Sequence, residues 1–178
     1  AGYVELLRAC HVGVKRADPE ALVVSAGLAP TGTGLPEAIP DVVYLTQMYG
    51  AGASDYFDAL GVNAPGYKAP PEVSPEEAAT AEEYGGQRFF CFRHVEDLRS
   101  IMIAHGDEEK QVVILEMGWT TDPRTDSPYY WHAVDAEEKA DYLVRAFDYA
   151  TEHWDPWIGL MTVLSIPDPE WTEDDEQY

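Results

Sequence analysis

The sequence predicts a parallel α/β protein, on the strength of one strand, one alternation and the placement of the breakers. Residues 111–122 read QVVILEMGWTTD, and the run 112–115 within them is short, rich in β-branched residues and continuous rather than alternating. A strand buried on both faces of a parallel sheet reads in this way. Apolar stretches of this kind alternate strictly with helical patterns along the chain, in the order α-β-α-β-α-β-α-β, which implies right-handed βαβ crossovers. Breakers mark the boundaries: Asp18-Pro19 ends the first helix, and the stretch 27–40 holds three Gly and three Pro. Two architectures fit: an open doubly wound sheet, or part of a (β/α)8 barrel. A complete barrel needs about 250 residues. The 178 residues here supply four strands and about four helices, which is half of one.

Taken in order, the first helix is marked by Tyr3, Leu6, Leu7, Cys10 and Val14 at spacings of three and four, with Glu5, Arg8 and Lys15 off the stripe. It ends before Asp18-Pro19, because the residue ahead of a proline is pushed out of the α region. A strand is expected over 21–26 (ALVVSA), then a Gly- and Pro-rich loop over 27–40. A second helix is expected over 41–49, with a possible resumption at 54–57 after Gly50 and Gly52. A second strand at 59–62 runs into Asn63-Ala64-Pro65-Gly66-Tyr67. The stretch 68–87 is a long loop with one helical turn near 75–83, and a loop of that size in a compact domain is usually functional. The third helix covers 93–105, with Gly106 as its stop. The strand 112–116 follows. Asp135 is then placed as an N-cap with Glu138 as its capping-box partner, opening a helix over Ala136–His153. A last strand at 157–163 precedes an acidic tail.

The formal charge of −22, from 11 basic against 33 acidic residues, excludes a phosphate-backbone binder and disfavours an anionic membrane surface. A neutral substrate such as a sugar is compatible with it. No apolar run approaches the ~20 residues of a membrane span. The two cysteines, Cys10 and Cys91, read as buried free thiols rather than a disulfide. The start, AGYVELL, carries no signal-peptide pattern and reads as a helix already under way, as if inside a larger protein. The compartment is not legible there; a secreted or cell-surface parent is the expectation.

Glu116 is the candidate catalytic residue. A charge on the end of a buried strand is costly unless it lies at a mouth with partners or water, and parallel α/β folds place their chemistry at the carboxyl ends of strands. The competing reading is a rim carboxylate that caps a loop or pairs with an Arg. Other signatures fail. Gly32-Thr33-Gly34 lacks the third glycine of a dinucleotide fingerprint, and Pro36 would spoil the helix start. There is no P-loop, no GxSxG and no HExxH. His11, His94, His105 and His153 stand at no metal-ligand spacing and read as surface or second-layer residues, whereas His132 lies beside Trp131 in the loop after Glu116. The tail acids lack the pattern of a calcium loop. No metal or organic cofactor is called for. What decorates the strand ends is Asn63 and Tyr67, then Glu116, Trp119, Tyr129, Tyr130, Trp131 and His132, then Asp168 and Trp171. Aromatic faces beside carboxylates and amides suit a carbohydrate, whose C–H faces stack while its hydroxyls take hydrogen bonds.

The segment LEMGWTTD resembles the [T/L]-E-x-G-W segment that ends the seventh strand of retaining glycoside hydrolases of the (β/α)8 4/7 superfamily, nearest to the cellulase-like and β-xylosidase-like (family 39) branches. YVELLRACHVGVKRADPEALVVSAGLAP resembles the helix after the fourth strand and then the fifth strand. YFDALGVNAPGY resembles the approach to the sixth, FRHVEDLRSIM the helix before the seventh, and WIGLMTVLSIPDPEW the eighth. The resemblance implies that residues 1–178 are one segment, the C-terminal half of a TIM (β/α)8 barrel, and that the intact protein is a retaining O-glycosidase acting on an oligo- or polysaccharide. It implies Glu116 as nucleophile, with Asn63, Tyr67, Trp119, Trp131, His132 and Trp171 around the sugar. The acid/base glutamate of such enzymes lies in an Asn-Glu pair, which is absent from these residues, so it is expected upstream of residue 1 and the segment alone is expected to be inactive. Asn63 stands where relatives carry the histidine of His-x-Tyr, and Tyr67 sits further on, which leaves room for a changed or lost activity. Two rival readings remain: a non-catalytic glycan-binding barrel, and a self-contained open-sheet domain. The latter predicts a stable monomer, whereas exposed half-barrel edges predict self-association.

Overall fold

The computed structural model of the chain describes residues 2–122 and 124–164. It is an α/β structure: α1 (Gly2–Ala17), α2 (Asp41–Gly50), β1 (Ala59–Pro65), α3 (Pro75–Thr80), α4 (Val95–Ala104), β2 (Gln111–Gly118), α5 (Ala136–His153) and β3 (Ile158–Val163). The strands form one open parallel sheet in the order β1-β2-β3. Its residues group into two compact units. The first holds the described residues up to Asn63, with Val95–Leu115 and Pro156–Met161; the second holds Ala64–His94, Glu116–Asp155 and the described residues from Thr162.

In the first unit the expected strand at 21–26 is not formed as a regular strand. Residues 21–28 make two isolated parallel bridges, Val24 with Ala59 and Leu28 with Val62. Side chains take the places of ladder partners: the Asp58 carboxylate accepts the Val23 N–H at 2.7 Å and the Ser25 hydroxyl accepts the Gly61 N–H at 2.9 Å. Burial alternates, with Val23 and Ser25 inside and Leu22 outside, so the segment is not buried on both faces. Helix α1 also presents a different face from the one expected. Val4 and Leu7 are buried and Tyr3, His11 and Lys15 half-buried, while Leu6, Cys10 and Val14 are exposed. The helix is turned by what Lys15 can reach: its ammonium donates to Ala21 O and pairs with Asp58, both at 2.9 Å. Cys10 is therefore an exposed free thiol, and Cys91 a buried one.

Helices α2 and α4 pack together through Leu45, Met48, Leu98 and Met102, all buried. Beside them the turn into β2 is organised by Asp107, a buried carboxylate. It accepts from Tyr49 Oη at 3.0 Å, from Ser54 Oγ at 2.8 Å and from Lys110 Nζ at 3.0 Å. Lys110 also lies over the Phe57 ring, and Arg99 donates to Lys110 O at 2.7 Å. Burial, then the bond to Asp107, raises the Tyr49 phenol well above its usual pKa. Removing one partner from such a network leaves the others desolvated and unpaired. Asp107→Ala is expected to destabilise the protein by about 3 kcal/mol, measured by urea unfolding. Asp107→Asn, which keeps an acceptor for Tyr49 and Ser54, should cost less.

The second unit is closed by local signals. Ser74 Oγ accepts the Glu77 N–H at 3.2 Å to start α3, with Pro75 in its first turn. The capping box of α5 is complete: Asp135 Oδ1 accepts from Glu138 N at 2.8 Å and Glu138 Oε2 accepts from Asp135 N at 3.0 Å. After α5, Trp154 is buried against Phe92 at a ring separation of 4.9 Å. Arg145 on α5 grips both oxygens of Glu72, and that contact lowers the Glu72 pKa. His94, expected at the surface or in a second layer, is buried here.

Candidate functional site

Strand β2 carries Val112, Val113 and Ile114 into the interior, but Leu115 and Glu116 are exposed and Met117 is buried again. Glu116 is therefore an exposed residue near the carboxyl end of a parallel strand, and its neighbours are fastened. Met117 O accepts from Leu164 N at 2.9 Å, and Gly118 O accepts from Gly66 N at 2.9 Å.

Trp119 was expected to face a sugar. It is 3% exposed, and its Nε1–H donates to Ala69 O at 2.9 Å. A Cβ on Gly66 would overlap the indole at Cε2, Nε1 and Cζ2, so only glycine allows the ring to lie on this backbone. The residue braces the segment behind Glu116 and presents no free face.

The loop beyond is built on Asp122, a buried carboxylate. Its Oδ1 accepts from Arg124 N at 3.0 Å and Nε at 2.9 Å, and its Oδ2 from Arg124 Nη2 at 3.0 Å. The bonds from Arg124, then that from Ser127, hold the Asp122 pKa far below its usual value. A carboxyl more acidic folded than unfolded stabilises above its ordinary pKa and loses that contribution as pH falls. This fork shapes the turn that delivers Tyr129, Tyr130, Trp131 and His132, and Val134 N returns to Thr120 O at 3.0 Å to close the loop.

Tyr67 joins that turn. It is the one non-glycine among the described residues with positive φ, at 52°, a conformation costing about 1–3 kcal/mol and characteristic of functional sites. Its ring meets Phe90 at 4.6 Å, His132 at 5.3 Å and Trp131 at 6.3 Å, the last nearly parallel at 24°. Phe89 and Phe90 complete the cluster, 4.4 Å apart. Trp131 lies directly on Gly85, whose φ is +89° and where a Cβ would meet the ring at 2.9 Å. Trp131 remains 42% exposed, and Tyr129 and Tyr130 are 46% exposed. His132 Nδ1 is enclosed and has no hydrogen-bond partner among the described residues. Burial lowers the His132 pKa, so the ring stays neutral where an ordinary histidine begins to charge.

The structure thus brings Tyr67, Trp131 and His132 together in the second unit, which also holds Glu116 and Trp119. Asn63 belongs to the first unit, where it is half-buried, its N–H donates to Leu28 O at 3.2 Å and its side chain lies against Gly27. Trp171 and Asp168 lie outside the described residues. Sequence reasoning missed Phe89, Phe90 and the Asp122–Arg124 fork as parts of the site. The signals for them were the Gly85-Gly86 pair ahead of two phenylalanines and an acid two residues before an arginine. The first unit holds a separate cavity of about 260 Å³ bounded by Gly27, Leu28, Ala29, Ile39, Asp41 and Tyr44. Among the described residues no group of His, Cys, Asp and Glu could hold a metal ion, and no helix is long and apolar enough to cross a membrane. No family model matches the chain, and no curated protein matches it.

Proposed function

We propose that the protein in its intact form, with the acid/base carboxyl group that is expected upstream of residue 1, hydrolyses O-glycosidic bonds by retaining double displacement, with Glu116 as the nucleophile; residues 1–178 alone are expected to be inactive. The observation that carries this reading is the exposed Glu116 near the carboxyl end of a parallel strand, in a unit that also holds the partly exposed aromatic residues Tyr129, Tyr130 and Trp131. The E-x-G-W resemblance assigns the same residue.

In the first step a Glu116 carboxylate oxygen attacks the anomeric carbon and forms an ester to the sugar. The glycosidic C–O bond breaks as a second carboxylic acid, about 5–5.5 Å away, gives its proton to the leaving oxygen. In the second step water attacks the anomeric carbon from the leaving-group side, its proton passes to the second carboxylate, and the Glu116 ester is released. Two inversions return the original configuration. Tyr67 and Trp131 serve as sugar-facing groups in this scheme, and Trp119 as the brace behind the nucleophile.

The test is covalent labelling of the full-length protein with 2-fluoroglycosides bearing good leaving groups, which form the glycosyl-enzyme and release it slowly. The expected result is a mass increase of one fluorosugar on the peptide containing Glu116. Labelling at another carboxylate, or binding of sugar with no labelling at all, would overturn the assignment; the second outcome is what a non-catalytic glycan-binding protein gives.

A further inference from the structure

Nδ1 of His132 is the one enclosed side-chain nitrogen or oxygen among the described residues that has no hydrogen-bond partner, and it lies within an aromatic cluster of the second unit. We infer that His132 is the trigger of an acid-sensitive switch: the cluster of Tyr67, Phe90, Trp131 and His132 is closed while the imidazole is neutral and opens when the ring takes up a proton. Such a switch needs no reaction at Glu116 and stands apart from the glycosidase reading.

The imidazole stands edge-on to three rings, Trp131 at 4.8 Å, Tyr67 at 5.3 Å and Tyr129 at 6.0 Å. An imidazolium carries an N–H on both nitrogens. Whichever nitrogen holds the proton of the neutral ring, the charged form therefore has an N–H at Nδ1 with no acceptor in place. A charged donor left unpaired in an enclosed site is far more costly than a bare lone pair there. The second arrangement is prepared by Tyr67. Its φ of 52° is a costly conformation for a residue with a side chain, kept only while the surroundings hold it. The rings that hold Tyr67 are Phe90 at 4.6 Å, His132 at 5.3 Å and Trp131 at 6.3 Å. Departure of His132 removes one of the three, lets the Tyr67 backbone relax, and exposes the Trp131 edge that His132 covered. One proton thus biases two arrangements of the same residues.

The titratable groups that face the ring do not reverse this preference. From the turn at 66–67 comes the Tyr67 phenol and from the residues before His132 the Tyr129 phenol, neither of which carries charge in acid. Across the loop the Asp122 carboxylate favours a charged imidazole, but Arg124 already engages both of its oxygens, and burial outweighs its pull. Asp122 is held so far below the usual carboxylate range that it stays ionised while His132 titrates. The net direction for His132 is downward from the ordinary histidine value. A histidine more acidic in the closed cluster than in water supports the closed state fully above about pH 6.5. That support is withdrawn as the pH falls from there to the lowered value, because the open state then binds the proton more readily.

The experiment takes the full-length protein from about pH 8 to about pH 4.5, read by tryptophan emission and its quenching by acrylamide, with far-UV circular dichroism as the check on folding. Trp131→Phe identifies the part of the emission change that belongs to Trp131. The His132 ring is followed by NMR of histidine-labelled protein, assigned through its contacts with the Trp131 ring. Below about pH 6.5 the Trp131 emission is expected to shift to the red and its quenching to rise, with the ratio of closed to open cluster falling by up to tenfold per pH unit. The His132 ring should titrate below the ordinary histidine value, in step with the Trp131 signal. His132→Phe, which fills the space with a ring that takes no proton, should stay closed across the whole range. A Trp131 signal that is flat with pH, a His132 ring that titrates at or above the ordinary value, the same acid transition in His132→Phe, or a transition that coincides with loss of the far-UV signal would each overturn the switch. If His132→Phe does not fold, the ring titration of the unsubstituted protein and its agreement with the Trp131 signal decide.

Discussion

Glu116→Gln in the full-length protein, acid/base residue included, is expected to lower turnover of aryl glycosides on the order of 10⁴-fold, equivalent to about 5.4 kcal/mol of transition-state stabilisation. The amide matches the carboxylate in size, and the side chain is exposed, so the fold should not change. What is lost is the nucleophile: an uncharged amide oxygen does not form the ester intermediate. Because that interaction develops only in the transition state, kcat and kcat/KM should fall together while substrate affinity is retained. A second variant separates chemistry from misfolding. Glu116→Gly with added azide should recover activity, because the azide anion attacks the anomeric carbon where the carboxylate did and the aglycone leaves with its proton from the second acid. The product is then a glycosyl azide of inverted configuration, identifiable by NMR. Undiminished turnover by Glu116→Gln would remove Glu116 from the mechanism.

The elements that were legible in the sequence are those decided by their own residues. The start of α5 follows from Asp135 and Glu138, three positions apart, and both capping bonds form. The strand around residues 112–116 was visible because β-branched residues run without a break. The segment 21–28 was misread because side chains replace part of its ladder, the Asp58 carboxylate for Val23 N–H and the segment's own Ser25 hydroxyl for Gly61 N–H, a matter of contacts 35 and 36 residues apart in sequence. The face of α1 was misread for a related reason. A periodic apolar stripe gives way when Lys15 finds a carboxylate and a carbonyl at its tip and buries its stem on the way. In the site, Tyr67, Trp131 and His132 were visible as residue types next to strand ends, and they do cluster. Phe89 and Phe90 were not, because apolar residues in a loop carry no label that separates core from binding face. Trp119 looked like its exposed neighbours in composition, and its burial is set by a glycine 53 positions earlier.

That glycine leads to the largest expected effect on stability. Gly66→Ala should destabilise the protein by about 3 kcal/mol or more, measured by urea unfolding with loss of the near-UV tryptophan bands. The backbone at Gly66 does not require positive φ, so the cost arises from space alone. The new methyl would occupy the position of Trp119 Cε2, Nε1 and Cζ2. The indole has no open route of escape, with Phe92 at 6.1 Å, Tyr142 at 5.5 Å and its N–H bound to Ala69 O. Displacing it breaks that buried hydrogen bond, and overpacking strains the neighbours as well. The backbone is constrained in turn, because Gly66 N donates to Gly118 O and Gly66 O accepts from Ala69 N. Pairing Gly66→Ala with Trp119→Phe tests the cause, since the smaller ring leaves room for the methyl. The two changes together should cost less than their sum, with a coupling of about 1–3 kcal/mol. Strict additivity would mean that the two residues are not in steric conflict. Since Gly118 and Trp119 follow Glu116 by two and three residues, the single Gly66→Ala variant should also lower kcat under conditions where it is fully folded, and Trp119→Phe in the same chain should restore part of it.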